Sequence, residues 1–386
     1  MADTQILRVV AQKRSGHTAV VDGNHLYVWG GYLSIDDNEV YLPSTEMWLY
    51  DMDSGVWDMH LAEGDIPPPM SGTCGCCVNG EMYIFGGFDD NGYTDKIYCV
   101  NLRNGTYTWK KINSKGSPPT PRDKLSCWVY NDRIIYFGGY GYKELGDLND
   151  SSIFTVDEAS WVGDVFLGWN NEVHVFDPST VTWNEPDTTG SPPAPRAAHA
   201  CATLGSKGYV CGGRVGGTRT NDVYCLDLEL WKWSEVIPKS AKAPGGRSWH
   251  TLTAVADGVL FLFGGLSANC EPLSDCWSLS VHNKQWKELE HLNKNNPRLW
   301  HTACLGKESE VIVFGGSRHD LLSVDTGHCN DVLVFQTQPH SLLRLCADSI
   351  GKNAKMLQEQ LSWLPRKLGW AIQKRISFFA PAGKLN

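Results

Sequence analysis

Six short runs of apolar residues with strand character recur along the chain, and each run ends at a pair of glycines. The runs read LYVW, MYIF, IIYF, GYVC, LFLF and VIVF, and the pairs are Gly30-Gly31, Gly86-Gly87, Gly138-Gly139, Gly212-Gly213, Gly264-Gly265 and Gly315-Gly316. Successive pairs are 56, 52, 74, 52 and 51 residues apart. A period of about 50 residues is typical of arrays in which each repeat forms one four-stranded blade of a β-propeller.

Three further signals keep step with the glycine pairs. A block that usually opens with Arg and closes with His precedes each pair: RSGH (14–17), MSGT (70–73), RDKL (122–125), RAAH (196–199), RSWH (247–250) and RLWH (298–301). An acidic residue opens another strand-like run after each pair: Glu46, Asp95, Glu172, Asp222, Asp275 and Asp331. Five repeats then end in a tryptophan that we expect to pack blade against blade: Trp57, Trp109, Trp183, Trp233 and Trp286. These motifs resemble the kelch repeat over about residues 10–338 and predict an all-β, six-bladed kelch propeller within residues 1–339.

Two repeats depart from the pattern. The third interval is about 20 residues too long, so residues 141–171 are expected to hold an inserted loop. The last repeat has no closing tryptophan after Val332–Phe335, and ring closure then requires another strand. We expect the β-prone segment Gln5–Val10 to complete the sixth blade.

The tail, residues 340–386, has a different pattern. It holds eight Lys/Arg and two Asp/Glu, a net charge of +6 that leaves −15 on residues 1–339. Leu342, Cys346 and Ile350 recur every four residues and therefore share one helix face, and helical spacing continues to Ile376 with a break at Pro365. A short α-helical tail is predicted.

The spacing of Leu342, Cys346 and Ile350 resembles a BC box, the helix that docks into Elongin C. The following Leu364, Pro365 and Leu368 resemble a cullin box. This resemblance implies that the tail binds Elongin B/C together with Cullin-5 or Cullin-2 and a RING subunit. The alternative is a helical cap that packs on the propeller with a solvated basic face.

Positions at which the repeats differ from one another are the candidates for function, since the shared positions specify the fold. The residue before the His position is Gly16, Gly72, Lys124, Ala198, Trp249 or Trp300, and the residue after the glycine pair is Tyr32, Phe88, Tyr140, Arg214, Leu266 or Ser317. Pseudo-symmetry places both sets at one end of the central channel. With Arg219 and Ser248 close by in sequence, two guanidiniums, hydroxyls and aromatic walls predict a pocket for a carboxylate. The alternative is that these arginines pair with acidic residues of the propeller.

The chain as a whole resembles the kelch-domain substrate receptors of cullin–RING ubiquitin ligases that recognise C-terminal glycine degrons, short ends that mark a protein for degradation. The likeness includes YFGGYGY, RAAHACATLG, GRSWHTL and PRLWHTACLGKE. In that group, two Arg and a Ser hold the terminal carboxylate, with Tyr, Lys and Trp around it. The resemblance implies that these roles fall on Arg214, Arg219, Ser248, Tyr140, Lys124, Trp169, Trp249 and Trp300. It also implies a non-catalytic subunit that brings Gly-Gly-like ends to ubiquitination and proteasomal degradation.

Composition narrows the remaining alternatives. The 34 basic and 43 acidic residues give a net charge of −9, which disfavours nucleic acid as a partner, and no run of 18 apolar residues suggests a membrane span. No secretory signal is evident at the start, so the 13 cysteines are expected to be reduced in the cytosol, and Cys74, Cys76 and Cys77 lack the partners of a zinc site.

Two other functions remain open from the sequence. Seven-bladed kelch oxidases carry copper on Tyr, His and Cys, but the recurring histidines here occupy one repeat position and are expected to be structural: His17, His199, His250 and His301. No cofactor or metal is therefore expected. The third possibility is a scaffold that has no pocket for a chain terminus.

Overall fold

The computed structural model describes residues 9–35, 38–144, 152–162, 165–322, 326–357, 361 and 364–380. Six antiparallel sheets, numbered here as blades along the chain, follow the six sequence repeats. Their strands are Thr18–Asp22, His25–Trp29, Glu46–Asp51 and Val56–Leu61 (blade 1); Cys74–Val78, Glu81–Phe85, Ile97–Asn101 and Thr108–Lys111 (blade 2); Ser126–Tyr130, Arg133–Phe137, Val173–Asp177 and Thr182–Asn184 (blade 3); Ala200–Leu204, Lys207–Val215, Thr218–Asp227 and Lys232–Glu235 (blade 4); Thr251–Val255, Val259–Ser267, Pro272–Ser280 and Gln285–Leu289 (blade 5); Thr302–Leu305, Glu310–Phe314 and Val332–Gln336 (blade 6). The predicted six-bladed propeller is confirmed.

Short strands extend this framework. Glu63–Gly64 and Thr189–Gly190 join blades 2 and 4 in parallel, and Arg247–Ser248 pairs with the second strand of blade 5. Two hairpins follow the first two glycine pairs: Tyr32–Ile35 with Asn38–Tyr41, and Phe88–Asp89 with Gly92–Tyr93. A separate four-stranded sheet follows the third pair: Arg122–Asp123, Tyr140–Glu144, Val165–Asn170 and Phe154–Val162. The described part of the insertion that the sequence predicted as a loop is thus largely β-structure, because its strands pair with one another.

The apolar core is divided among the joints between blades. Six buried clusters are present in the described residues, and each is shared by two neighbouring blades. The five recurring tryptophans are at most 7% exposed, and each packs on the preceding blade, as predicted. The Trp57 ring centroid lies 4.8 Å from that of Phe314 in blade 6, so the same contact that joins neighbours also closes the ring. In blade 6, Phe335 replaces the missing tryptophan and lies 4.7 Å from Phe263 of blade 5.

The recurring arginines are buried and hold the repeats together internally. In four repeats the guanidinium pairs with the acidic residue that follows the glycine pair: Arg122 with Glu172 (2.6 Å), Arg196 with Asp222 (2.8 Å), Arg247 with Asp275 (2.7 Å) and Arg298 with Asp331 (2.5 Å). In blade 2, Met70 occupies the arginine position, and Asp95 pairs with the adjacent Lys96 instead. Removing one partner from such a buried pair typically costs about 3–5 kcal/mol.

A closed ring of backbone hydrogen bonds marks one end of the propeller, which we call the top face. It consists of the six residues before the His position, and each donates its N–H to the carbonyl of the equivalent residue in the preceding blade at 2.8–3.1 Å: Gly16, Gly72, Lys124, Ala198, Trp249 and Trp300. All six have positive φ, between 52° and 71°. Only two are glycines, so the ring imposes a left-handed conformation that costs the other four about 1–2 kcal/mol each.

The turns between the first and second strands of each blade, and between the third and fourth, form the opposite, bottom face. The tail lies here, as helices α1 (Leu342–Lys352), α2 (Ala354–Leu357) and α3 (Arg366–Phe379). The Ser341 side chain caps α1, and α3 begins directly after Pro365, where the sequence predicted a break. Helix α1 packs on α3. No helix in the described ranges is long and apolar enough to cross a membrane.

Ion pairs dock the tail on blade 1. Arg344 Nη1 lies 3.2 Å from Asp53 Oδ1, Lys374 Nζ lies 2.6 Å from Asp51 Oδ2, and Arg375 donates to the Asp53 carbonyl at 2.7 Å. The positively charged tail thus contacts the acidic propeller through specific carboxylates. The expected closing strand Gln5–Val10 lies outside the described residues except for Val9 and Val10, which are not part of a strand.

Candidate functional site

Three large side chains of the top-face ring cover the mouth of the central channel. The indoles of Trp249 and Trp300 are stacked, with centroids 5.1 Å apart and planes inclined by 16°. Lys124, from the blade opposite Trp300, places its Nζ 5.3 Å from the Trp300 ring centroid. The other three ring positions are glycine or alanine, and a Cβ on Gly16 would lie 3.0 Å from the Trp300 indole. A cavity of about 150 Å³ lined by the ring and the residues that follow it remains at this point.

The predicted arginine pair lies on one hairpin beside this mouth. Arg214 and Arg219 face each other across the extended second and third strands of blade 4. Arg219 donates its Nε–H to Ser248 Oγ at 2.9 Å, and Arg214 donates its Nε–H to the Gly216 carbonyl at 3.0 Å. Neither forms an ion pair with an acidic side chain among the described residues, in contrast to the four recurring arginines. The alternative that these two arginines pair with the propeller's own acids is therefore not observed.

Aromatic side chains form the wall next to Arg214. The Arg214 guanidinium carbon lies 5.4 Å from the Trp169 ring centroid, and the Trp169 ring lies 5.3 Å from that of Tyr140. Tyr140 and Trp169 are direct cross-strand partners in the inserted sheet, and Trp169 is only 4% exposed. Tyr140 donates to Asp157 Oδ2 at 2.8 Å, and burial together with this carboxylate raises the pKa of Tyr140 to about 12. Its hydroxyl is therefore a neutral donor at physiological pH.

Lys124 differs from the arginine pair because its charge is balanced. Its ammonium pairs with Asp123, whose side chain is buried. Burial raises the pKa of Asp123 against the opposing effect of Lys124, and its second oxygen, Oδ1, has no hydrogen-bond partner. Asp123 also pairs across strands with Tyr140.

All eight predicted residues lie on the top face and form one continuous circuit of contacts. Tyr140, Trp169 and Arg214 are in contact, Arg214 pairs with Arg219, Arg219 bonds to Ser248, and Ser248 is followed by Trp249. The stack then leads through Trp300 and Lys124 to Asp123, the cross-strand partner of Tyr140. Two unpaired guanidiniums, a hydroxyl donor and indole walls can bind a carboxylate whose neighbouring group is small.

Three neighbours of this circuit were missed in the sequence. Asp123 and Asp157 bond to Lys124 and Tyr140, and the exposed Cys270 accepts from Arg219 Nη1 at 3.5 Å. The sequence does contain a signal for Asp123. It lies directly before Lys124 in the block 122–125, and none of the equivalent blocks in the other repeats contains an acidic residue. The other two depend on loop conformation, for which the sequence offers no signal.

The recurring histidines are bonded between blades. His17, His199 and His301 each place Nε2 2.6–2.9 Å from a hydroxyl of the preceding blade, and His250 Nε2 lies 3.0 Å from the Cys211 carbonyl. All 13 cysteines are free. Among the described residues, no group of three or more His, Cys, Asp or Glu side chains is arranged to hold a metal ion.

The tail presents apolar residues away from the propeller. Leu342 is 80% exposed and Cys346 is exposed, whereas Ile350 is partly buried on the same face of α1. Leu364 and Leu368 are partly buried around the exposed Pro365. Of the three residues predicted to form a docking face, Leu342 and Cys346 are thus accessible on the surface of the tail.

Comparison with known proteins agrees with this architecture. The family model described as "KLHDC2/KLHL20/DRC7 Kelch-repeats domain" matches residues 16–164 and 166–316. The chain is 60% identical over 386 residues to mouse "Kelch domain-containing protein 1", covering 99% of this chain and 94% of the relative. It is 44% identical over 373 residues to human "Kelch domain-containing protein 2", covering 94% and 90%. A solved structure titled "Structure of YjhT" superposes with a TM-score of 0.62 at 18% identity, covering 84% of this chain and 95% of that one, and supports the fold alone.

Proposed function

Because the chain belongs to the kelch-repeat family that includes kelch domain-containing proteins 1 and 2, we propose that it is a non-catalytic substrate receptor of a cullin–RING ubiquitin ligase. In this proposal the top face binds the free C-terminus of a protein that ends in glycine. The tail connects the receptor to the rest of the ligase, so that the bound protein is ubiquitinated and degraded by the proteasome.

The observation that carries the proposal is the unpaired state of Arg214 and Arg219. In the same propeller, four other arginines are neutralised by carboxylates at hydrogen-bonding distance. Keeping two guanidiniums close together without an acidic partner is unfavourable, and the repulsion is relieved when an anion binds between them. A carboxylate is the anion that a protein terminus supplies, and arginine can hold it with two parallel hydrogen bonds.

Glycine specificity follows from the walls of the site. Trp169 and the stacked Trp249 and Trp300 are large, and their neighbours hold them in place. A Cβ on the last residue of the ligand would approach these indoles, whereas glycine would not. The aromatic faces also exclude water, which strengthens the interaction of the guanidiniums with the carboxylate.

Peptide titration by fluorescence polarisation tests the terminus-reading site. Peptides that end in Gly-Gly with a free carboxylate should bind, and the same peptides as amides should bind at least about 30-fold more weakly, because a charged partner is lost from a partly dehydrated site. Arg214→Ala and Arg219→Ala should cause losses of similar size. Arg103→Ala, which removes an exposed arginine from the bottom face, is the matched control and should leave affinity unchanged. Equal affinity for acid and amide would contradict the proposal.

The ligase connection rests on α1 and on the segment before α3. Leu342 and Cys346 are exposed in line with Ile350, as expected of residues that fill an apolar groove on a partner such as Elongin C. We propose Elongin B/C, and Cullin-5 or Cullin-2 with its RING subunit, as the partners, with Leu364, Pro365 and Leu368 on the cullin side.

Co-purification tests this connection. Leu342→Ala combined with Cys346→Ala should abolish recovery of Elongin B/C, since loss of an anchor residue typically costs about 2 kcal/mol or more. Leu230→Ala, which truncates an exposed leucine in a bottom-face turn, should have no effect. Normal recovery with the double variant would favour a tail that is only a cap. Loss of recovery with intact peptide binding would show that the two functions are separable.

A further inference from the structure

The top face is electrostatically divided. Blade 4 contributes the unpaired Arg214 and Arg219, whereas the top-face loops of blades 1 to 3 carry a set of carboxylates that we call the acidic rim: Glu39, Asp89, Asp90, Asp123 and Asp157. Asp89, Asp90 and Asp157 have no ion pair among the described residues, and Asp123 Oδ1 is buried without a hydrogen-bond partner. A bound terminal carboxylate would neutralise the arginine side, whereas Asp89, Asp90 and Asp157 would keep no ion-pair partner among the described residues.

Tyrosine side chains line the acidic rim, and its negative charges contribute to the raised pKa values of these tyrosines. Tyr93 lies 5.0 Å from Tyr142 and 5.9 Å from Tyr140, measured between ring centroids. Burial, and after it the negative charges of Glu39, Asp90, Asp89 and Asp123 in that order of effect, together raise the pKa of Tyr41 to about 12. The pKa of Tyr93 is also raised, first by burial and then by Asp123. Aromatic faces under a negative potential are a favourable environment for an ammonium or guanidinium group.

One side of the acidic rim, at Asp157, lies within reach of a peptide held at the arginine pair. Tyr140, which bonds to Asp157, lies 5.9 Å from Tyr93 on the hairpin that carries Asp89 and Asp90. A path of contacts leads from Arg214 through Trp169 and Tyr140 to Asp157. This path is at most about 16 Å long, a distance that about five residues of extended chain can span. Because Trp249, Trp300 and Lys124 cover the channel, the upstream part of a bound peptide has to leave over the top face.

From this division, and resting on the proposed function above, we propose that the acidic rim selects glycine-ended peptides that carry a lysine or arginine within about the last six residues. The arginine pair would hold the carboxylate, and the rim would hold the upstream cation. A ligand with opposite charges at its two ends is thus oriented by the site before close contacts form.

A position scan with free-acid peptides tests this inference. Each position upstream of a constant Gly-Gly end is occupied in turn by Lys, Ala or Glu, and affinity is measured by fluorescence polarisation at low and high salt. At the favoured position, the Lys peptide should bind about tenfold more tightly than the Glu peptide, since attraction of Lys and repulsion of Glu by the acidic rim each change the affinity a few-fold. This difference in affinity should be smaller at high salt. Asp90→Asn combined with Glu39→Gln should reduce the Lys-over-Glu ratio, by weakening the binding of the Lys peptide and strengthening that of the Glu peptide.

A matched variant and a second comparison complete the design. Asp132→Asn makes the same change to an exposed carboxylate in a bottom-face turn and should leave the ratio unchanged. Equal affinities for Lys and Glu peptides at every position, or an unchanged ratio in the double variant, would overturn the role of the acidic rim. If free acids still bind better than amides in that case, the terminus-reading proposal stands, and only the upstream selection fails.

Discussion

The buried histidines between blades predict a loss of stability in mildly acidic solution. Burial, and next the neighbouring arginine, lowers the pKa of His199, His250 and His301 to about 3, and the pKa of His17 is lowered well below its usual value for the same two reasons. Each ring is neutral in the folded protein because its surroundings cannot hydrate a cation and an arginine lies nearby. Its Nε2 bonds to the preceding blade.

The sign and size follow from proton linkage. In the unfolded chain each histidine takes up a proton near its ordinary pKa of about 6.5, whereas the folded protein does not until a much lower pH. The stabilisation is complete above the unfolded pKa of about 6.5 and is lost as the pH falls towards the folded pKa. Between pH 7 and 5.5 each histidine should cost about 1.3 kcal/mol, or about 5 kcal/mol for four. Asp222 and Asp275 do not contribute in this range, because their pKa values are lowered and their stabilisation is lost only under more acidic conditions.

Chemical denaturation followed by tryptophan fluorescence at several pH values measures this effect. A loss of about 5 kcal/mol is large against a typical total of about 5–15 kcal/mol, so the denaturation midpoint should shift visibly. His250→Gln retains a donor near the Cys211 carbonyl but cannot titrate, and it should remove about a quarter of the pH-dependent loss. His282→Asn changes an exposed histidine in a turn and should leave the pH dependence unaltered. A free energy of unfolding that stays constant between pH 7 and 5.5 would refute the reasoning.

Three other measurements examine separate parts of the molecule. Trp233→Ala should lower the free energy of unfolding by about 3–5 kcal/mol, because a fully buried interblade side chain is removed, whereas Trp370→Ala, at a site that is 64% exposed, should cost less than about 1 kcal/mol; similar losses would contradict the packing argument. Asp53→Asn should speed hydrogen exchange in α1 and α3 with little change in the melting temperature of the propeller, and unchanged exchange would mean that the ion pairs do not hold the tail. Arg219→Lys keeps the positive charge but loses the hydrogen bond to Ser248 and the planar guanidinium, so glycine-ended peptides should bind about tenfold more weakly. Unchanged affinity would show that the positive charge alone is sufficient to bind the terminal carboxylate.

The repeat pattern allowed the blades to be predicted because each is built from local strands whose spacing is visible in the sequence. The tryptophans and the break at Pro365 lie where the structure has the corresponding joints and helix start, and the glycine pairs lie directly after the second strand of a blade or, in blades 4 and 5, within it. The pairing of Arg196 with Asp222, and of its counterparts in three other repeats, was present in the motifs but not recognised. Both residues recur in the sequence, but their separation of about 26 residues does not by itself identify them as partners.

The residues of the candidate pocket could be predicted from the sequence, but the contacts between their side chains could not. Repeat symmetry indicated that Lys124 and Trp300 share the top face, whereas the approach of Lys124 across the mouth depends on how its side chain extends. The inserted sheet was less predictable still. In the described part of the chain, the strands Phe154–Val162 and Val165–Asn170 pair only within this sheet, so no other repeat provides a template for them. The contact of Trp169 with Arg214 follows from that local pairing.

The ring of main-chain hydrogen bonds at the top face does not depend on the side chains of the residues that form it, so these residues can be substituted. Because the bonds use only N–H and carbonyl groups, a substitution at Lys124, Trp249 or Trp300 meets the same backbone requirement as the residue it replaces. A combinatorial library at these positions should therefore yield folded proteins with altered ligand preferences. The positions are nevertheless coupled, because a side chain at Gly16 would collide with the Trp300 indole. Variants at Gly16 are expected to appear in such a library only together with a smaller residue at position 300, so that new specificities arise through paired changes.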